Sequence, residues 1–223
     1  MTKRLVLLHT VSSLVDLFNN LAEELLPDDV RVLHVADEML LDVVLENGGL
    51  SPFTYRRVTG HVVAAEQAGA DVVMFTCSSI SPCADVAALM VNIPVLKVDL
   101  PMVDQAISIG NRIGVAATAP TTLGPTTGLV RERAALAGKH VAVDALLCEG
   151  AYDALFAGDV EAHDRIVRYA LKGLMARNDV VVLAQASMAR VADTIPSDER
   201  RVPVISSPRP AMAHARDVLE QTE

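Results

Sequence analysis

Residues 71–83 read DVVMFTCSSISPC. Four consecutive apolar residues, Val72 to Phe75, run into a small polar loop, Thr76 to Ser79, and a proline-initiated helix is expected from about Pro82 to Val91. An unbroken apolar run suits a strand covered on both faces, as in a parallel sheet. Such a strand delivers Cys77 to the sheet's carboxyl edge, where the amides of the following turn point at whatever is bound. A thiol placed there is a candidate acid, base or nucleophile. A free cysteine also commonly serves as a small buried residue, and position alone leaves both readings open.

Working outward, the same alternation recurs. Strands are expected at Arg4 to Leu8, Val30 to Val35 and Pro94 to Val98. Helices are expected over Leu14 to Leu25, from an Asp37 cap to Leu45, and from about Thr54 to Ala68. After Asp99 the plan restarts. Helices are expected at Pro101 to Ile109, Thr121 to Ala137, Asp159 to Arg177 and Met188 to Asp193. Strands are expected at Arg112 to Ala117, His140 to Leu146, Val180 to Leu183 and Val202 to Ile205. A final helix, Pro208 to Leu219, is placed to cross back onto the first half.

A shift of 108 positions lays Arg4-Leu5-Val6 on Arg112-Ile113-Gly114, Asp71-Val72-Val73 on Asp179-Val180-Val181, and Arg31 to Val35 on Lys139 to Val143. One offset serving separate segments marks a duplication. The expected architecture is therefore α/β, with two pseudo-symmetric doubly wound domains. Each carries a mostly parallel four-stranded sheet, and a ligand cleft is expected between them. Residues 1–98, together with a C-terminal helix at about 206–223, form the first half, and residues 99–205 form the second.

Composition narrows the function classes. The chain has 223 residues, 51% of them hydrophobic, which is ample for packed cores, and its formal charge of -9 gives no footprint for nucleic acid or an anionic membrane. Aromatic residues make up 3% and tryptophan is absent, against a base-stacking platform. The three cysteines, Cys77, Cys83 and Cys148, lack the spacing of a zinc site or disulfide framework. No metal and no cofactor are expected, and the glycines lack phosphate-loop spacing. The N-terminal apolar run is too short for a signal peptide or a membrane span, so a cytoplasmic protein is expected.

VVMFTCSS, RIGVAATAPTTL and VVVLAQASM, set in a duplicated α/β chain, resemble the aspartate/glutamate/hydantoin racemase superfamily, which includes maleate isomerases and arylmalonate decarboxylases. The resemblance implies a homodimer acting on a small carboxylate without a cofactor. It also implies two cysteines facing each other across the substrate as an acid/base pair. Cys77 matches the first. The second falls where this chain has Gln185, and glutamine has no proton to exchange near neutral pH. The resemblance thus narrows to one-thiol chemistry: isomerisation, one-base proton transfer or decarboxylation.

The remaining candidates lie in three strand-to-helix loops. Thr76, Ser78 and Ser79, then Thr118 and Thr121, then Gln185, Ser187 and Met188 are candidate substrate-binding residues, their amides and hydroxyls suited to a carboxylate. For Thr118, Thr121 and Ser187 helix capping is the alternative. His9 ends the first strand and is a candidate second acid/base, with a hydrogen-bonded strand-end histidine as the alternative. Cys83 is expected in the core, and Glu149 near the second half's strand ends. A non-catalytic carboxylate-binding protein and a racemase using His9 are the rival readings.

Overall fold

The structure, a computed structural model, describes residues 2–222. Its elements run in the order β1 (Lys3–His9), a 3-10 turn (Ser12–Leu14), α1 (Val15–Leu25), β2 (Val30–Ala36), α2 (Met39–Glu46), α3 (Pro52–Gln67), β3 (Val72–Phe75), α4 (Cys83–Ala88) and β4 (Val95–Lys97). Next come α5 (Leu100–Ile109), β5 (Arg112–Ala117), α6 (Pro120–Leu136), β6 (Ala142–Leu147), α7 (Ala151–Phe156), α8 (Val160–Met175) and β7 (Val180–Leu183). A 3-10 turn (Ala186–Met188), α9 (Ala189–Asp193), β8 (Val204–Ser206) and α10 (Pro208–Gln221) complete the chain. Two units result: Met1–Asp99 with Pro208–Glu223, and Leu100–Ser207.

Each unit holds a parallel four-stranded sheet, ordered β2-β1-β3-β4 in the first and β6-β5-β7-β8 in the second. This is the expected α/β architecture. Strand alternation sends side chains to opposite faces. In the first unit, Val6, Leu8, Val73 and Phe75 pack with residues of α2, α3 and α4. Leu5, Leu7, Val72 and Met74 pack instead with Phe18 of α1 and with Ala211, Met212, Ala215 and Leu219 of α10. All four side chains of β3 are buried. At about 1.5–3 kcal/mol for each large apolar side chain, that short strand outweighs any single polar contact around it. The second sheet is covered likewise, Val181 and Leu183 on one face, Val180 and Val182 on the other.

The aspartates opening the two DVV segments do the same work. Asp71 Oδ2 accepts from the Arg4 amide at 2.6 Å. Asp179 Oδ2 accepts from the Arg112 amide at 2.9 Å, and its Oδ1 accepts from the Arg112 guanidinium at 2.8 Å. Each carboxylate thus fastens the start of its unit's two central strands. Gly110 packs tightly beside one of them, because a Cβ added there would stand 2.4 Å from Asp179 Cβ.

The register upholds the 108-residue offset for one strand pair and corrects it for others. Leu5 pairs with Val72 and Ile113 with Val180, so β1 and β3 repeat at 108. Arg4 pairs with Arg31 but Arg112 with Ala142, so β2 and β6 stand 111 apart. The equation of Arg31 with Lys139 is therefore three residues out. Lys139 belongs to the loop before β6, which begins at Ala142 rather than His140. Asp37 does not cap α2, for its carboxylate is held by Arg57 Nε at 2.5 Å and His61 Nε2 at 2.7 Å. The six-residue α7 was not anticipated, being short and entered through Gly150 at φ 77°.

Candidate active site at the strand ends

In both sheets the strand order reverses between the two central strands. That reversal opens the crevice at their carboxyl ends where ligands of such sheets bind. In the first unit it brings together the loops after β1 and β3, Thr10-Val11 and Thr76 to Ser81. In the second it brings together the loops after β5 and β7, Thr118-Ala119 and Gln185 to Met188.

Cys77 continues the alternation of Val73 and Phe75, packs at the edge of their cluster and remains half-buried. Cys83 and Cys148 are buried, and burial pushes their thiols up to about 12 and about 11, out of reach of acid/base work near neutrality. Beyond Cys77 the chain closes through consecutive turns, Ile80 N to Cys77 O at 3.3 Å and Ser81 N to Ser78 O at 3.3 Å, before α4 starts at Cys83. Ser78, Ser79 and Ser81 are buried in this turn. Ser81 Oγ donates to Asp99 Oδ1 at 2.6 Å, and Asp99 Oδ2 has no partner among the described residues. Burial raises the Asp99 carboxyl, against the Ser81 hydroxyl that lowers it.

His9 stands on the opposite face from Cys77, edge-on to Phe18 with ring centroids 5.6 Å apart. It is wholly buried, with Nδ1 2.9 Å from Thr76 Oγ1 and Nε2 2.9 Å from His34 Nδ1. His34 Nε2 in turn lies 2.9 Å from Asn19 Oδ1. Burial, then the neighbouring His34, lowers the His9 imidazole to about 4. The expectation that His9 meets a ligand as an acid/base is corrected on that ground, since neither ring nitrogen is free. Asn19 Oδ1 can only accept, so with both rings neutral His34 Nε2 donates to it, His9 Nε2 donates to His34 Nδ1, and the Thr76 hydroxyl donates its proton to His9 Nδ1 inside the protein. Thr76 is therefore a hydrogen-bond acceptor toward anything outside.

The second unit closes its strand ends differently. Gln185 Oε1 accepts from Thr118 N at 2.6 Å, Thr118 Oγ1 at 2.9 Å and Ala119 N at 3.3 Å, at the N-terminus of α6. Two of these donors are backbone amides, so the accepting atom is the carbonyl oxygen and the Gln185 amide nitrogen faces away. Thr118 is thus no helix cap. Ala119 holds the N-cap position, without a side-chain bond. Thr121 is buried in the first turn of α6, and Ser187 is half-buried in the following 3-10 turn. Met188 is corrected as a ligand contact, being fully buried in the core with Val191 and Leu174. Glu149 is exposed, and Arg190 is committed to Asp164 through two bonds of 2.6 Å.

Thr10 was missed from the sequence. Its hydroxyl, 2% exposed, has no partner, and neither its amide nor that of Val11 meets an acceptor among the described residues. Thr10 and Val11 are the counterparts of Thr118 and Ala119 at the 108-residue offset, and that repeat was the signal that could have found them. Among the described residues no group of three or more His, Cys, Asp or Glu stands where it could hold a metal ion. Nor is any helix long and apolar enough to cross a membrane.

Two parallel sheets with a thiol at one strand-end crevice define a two-unit α/β protein with a candidate thiol site. Structural comparison agrees on the fold. Glutamate racemase from Francisella tularensis, in complex with D-glutamate, matches at a TM-score of 0.76 and 14% identity over 99% of this chain and 82% of that one. Allantoin racemase from Klebsiella pneumoniae matches at 0.67 and 17% over 99% and 90%. Aspartate racemase from Picrophilus torridus matches at 0.69 and 14% over 98% and 94%. No curated protein matches in sequence. The sequence model of the Asp/Glu/Hydantoin racemase family matches residues 8–215, and the chain belongs to that family.

Proposed function

We propose that the protein is a cofactor-independent enzyme acting on a small carboxylic acid, with Cys77 as its single acid/base or nucleophile. The observation that carries this reading is the half-buried Cys77 at the end of β3, beside a neighbouring strand end whose buried Thr10 hydroxyl and Thr10 and Val11 amides have no acceptor among the described residues. Three such donors suit an oxygen bearing negative charge. A thiolate at Cys77 would take a proton from the carbon next to the carboxylate, and the electron pair left behind would pass into the carboxylate as an enediolate. The same thiol would return a proton to that carbon on the same face, giving one-base exchange with retention, or to a conjugated carbon of an unsaturated substrate, giving isomerisation. For a substrate with two carboxylates on one carbon, carbon dioxide leaves first and the thiol protonates the carbanion. A single thiol delivers its proton to one face.

A non-catalytic carboxylate-binding protein is the second reading, favoured by Gln185 at the position of a second thiol. The His9 racemase loses ground, because His9 is sealed behind Thr76 and His34. Three free cysteines are in keeping with a cytoplasmic protein. A homodimer is in keeping with exposed Leu89 and Met90 at the end of α4, and sedimentation would test it.

The deciding experiment is Cys77→Ala, assayed by proton NMR in deuterium oxide against a panel of 2-substituted mono- and dicarboxylates. Turnover should fall by at least about a thousandfold, the upper range of one acid/base group's contribution allowing for lost nucleophilicity. Near-ultraviolet circular dichroism should be unchanged. Retained turnover overturns the enzymatic role of Cys77.

A further inference from the structure

The Gln185 carboxamide is fastened at one end only. Its oxygen takes three hydrogen bonds, from Thr118 N, Thr118 Oγ1 and Ala119 N, while its nitrogen has no partner among the described residues. The residue is half-buried, so the nitrogen is neither sealed in the core nor a loose surface group. Three bonds at one atom leave the side chain one orientation.

The surroundings fix what such a nitrogen would meet. A carboxamide NH2 only donates, so its ligand atom is an acceptor. The oxygen sits at the positive end of α6, a helix of 17 residues, and donors at the oxygen draw electron density from the nitrogen and sharpen its N–H groups. Residues 118–122 and 184–188 contain no Asp or Glu to compete for those donors, and nearby Arg190 is paired with Asp164. A donor with positive potential behind it and no acid beside it fits an oxygen bearing negative charge.

We propose that Gln185 is a ligand-binding and specificity-determining residue whose amide nitrogen donates to a carboxylate oxygen, standing where a racemase would carry its second thiol. The strand ends of the second unit therefore bind a carboxylate and transfer no proton. The consequence for ligand class is a preference for molecules that keep a carboxylate intact. The inference rests on the reading that the strand ends bind a small carboxylate, but not on Cys77 being catalytic.

Gln185→Glu separates this role from a structural one. Glutamate keeps an oxygen in the same three-donor nest, where its charge strengthens the bonds, and replaces the outward NH2 by a second acceptor oxygen. Binding of malonate, maleate and L-glutamate would be measured by titration calorimetry, alongside the melting temperature. The wild type should bind at least one of them, and Gln185→Glu should weaken that binding roughly ten- to hundredfold, the range for a lost hydrogen bond to a charged group. Its melting temperature should be equal or higher. Unchanged affinity in Gln185→Glu, or no binding of any of the three to the wild type, overturns the proposal. Should the glutamate variant fail to fold, Gln185→Met serves instead, and full affinity there overturns it equally. The same titration on Cys77→Ala keeps the two readings apart, since binding that depends on Gln185 survives whether or not turnover depends on Cys77.

Discussion

In the first unit the loop after β1 leaves a hydroxyl and two amides without a partner among the described residues, whereas in the second unit the same three groups close on the oxygen of Gln185. The scaffold around them is shared, down to the aspartate that fastens the two central strands. One side chain separates the strand ends. A thiol is too weak an acceptor to fill a three-donor nest, so Cys77 does not close it. A carboxamide fills it and turns a donor outward. Duplication supplied two strand ends of one kind, and the residue after the strand closes one of them and not the other.

The largest expected effect on stability lies in the half that has no twin feature. His9 corresponds to Ala117 at the 108-residue offset, so the chain from Thr76 to Asn19 exists in the first unit alone. His34→Leu would strand His9 Nε2 in the core and cost about 1–3 kcal/mol, measurable by urea unfolding. An unchanged midpoint would show the pair to be dispensable. The same chain sets a pH dependence. His9 titrates at about 4 when folded, against 6.5 for the unperturbed group. Between those values the unfolded chain binds the proton and the folded chain does not. Its contribution is therefore complete above about pH 6.5 and is lost as pH falls toward 4. His9→Gln should flatten the loss of urea resistance between pH 7 and 5, and an undiminished slope would place its source elsewhere.

A paired substitution sharpens the contrast itself. Thr118→Val removes a hydroxyl that donates to Gln185 and should cost about 1 kcal/mol. Thr10→Val removes one with no partner and should change stability by no more than about 0.5 kcal/mol, while weakening carboxylate binding. Equal costs at the two positions would mean that Thr10 has a structural partner after all.

The layered α/β plan was legible because buried strands betray themselves as apolar runs, and Asp71 with Asp179 marks where each central pair begins. The offset of β2 from β6 was not, since a three-residue difference in loop length leaves no trace until register is seen. The burial of His9 was partly legible. Leu5, Leu7 and His9 alternate onto one face, and Cys77 follows Val73 and Phe75 onto the other. Reading both residues merely as strand ends lost that distinction. The Gln185 nest lay beyond the sequence because it joins a side chain to backbone groups 66 and 67 residues away.

The most direct test of an unequal pair of strand ends is stereochemical. Small 2-substituted carboxylates would be incubated with the protein in deuterium oxide and the configuration of each labelled α-carbon determined. One thiol predicts deuterium on a single face, absent when Cys77 is replaced by alanine. Label on both faces at comparable rates, or no label from any substrate in the panel, would contradict the account.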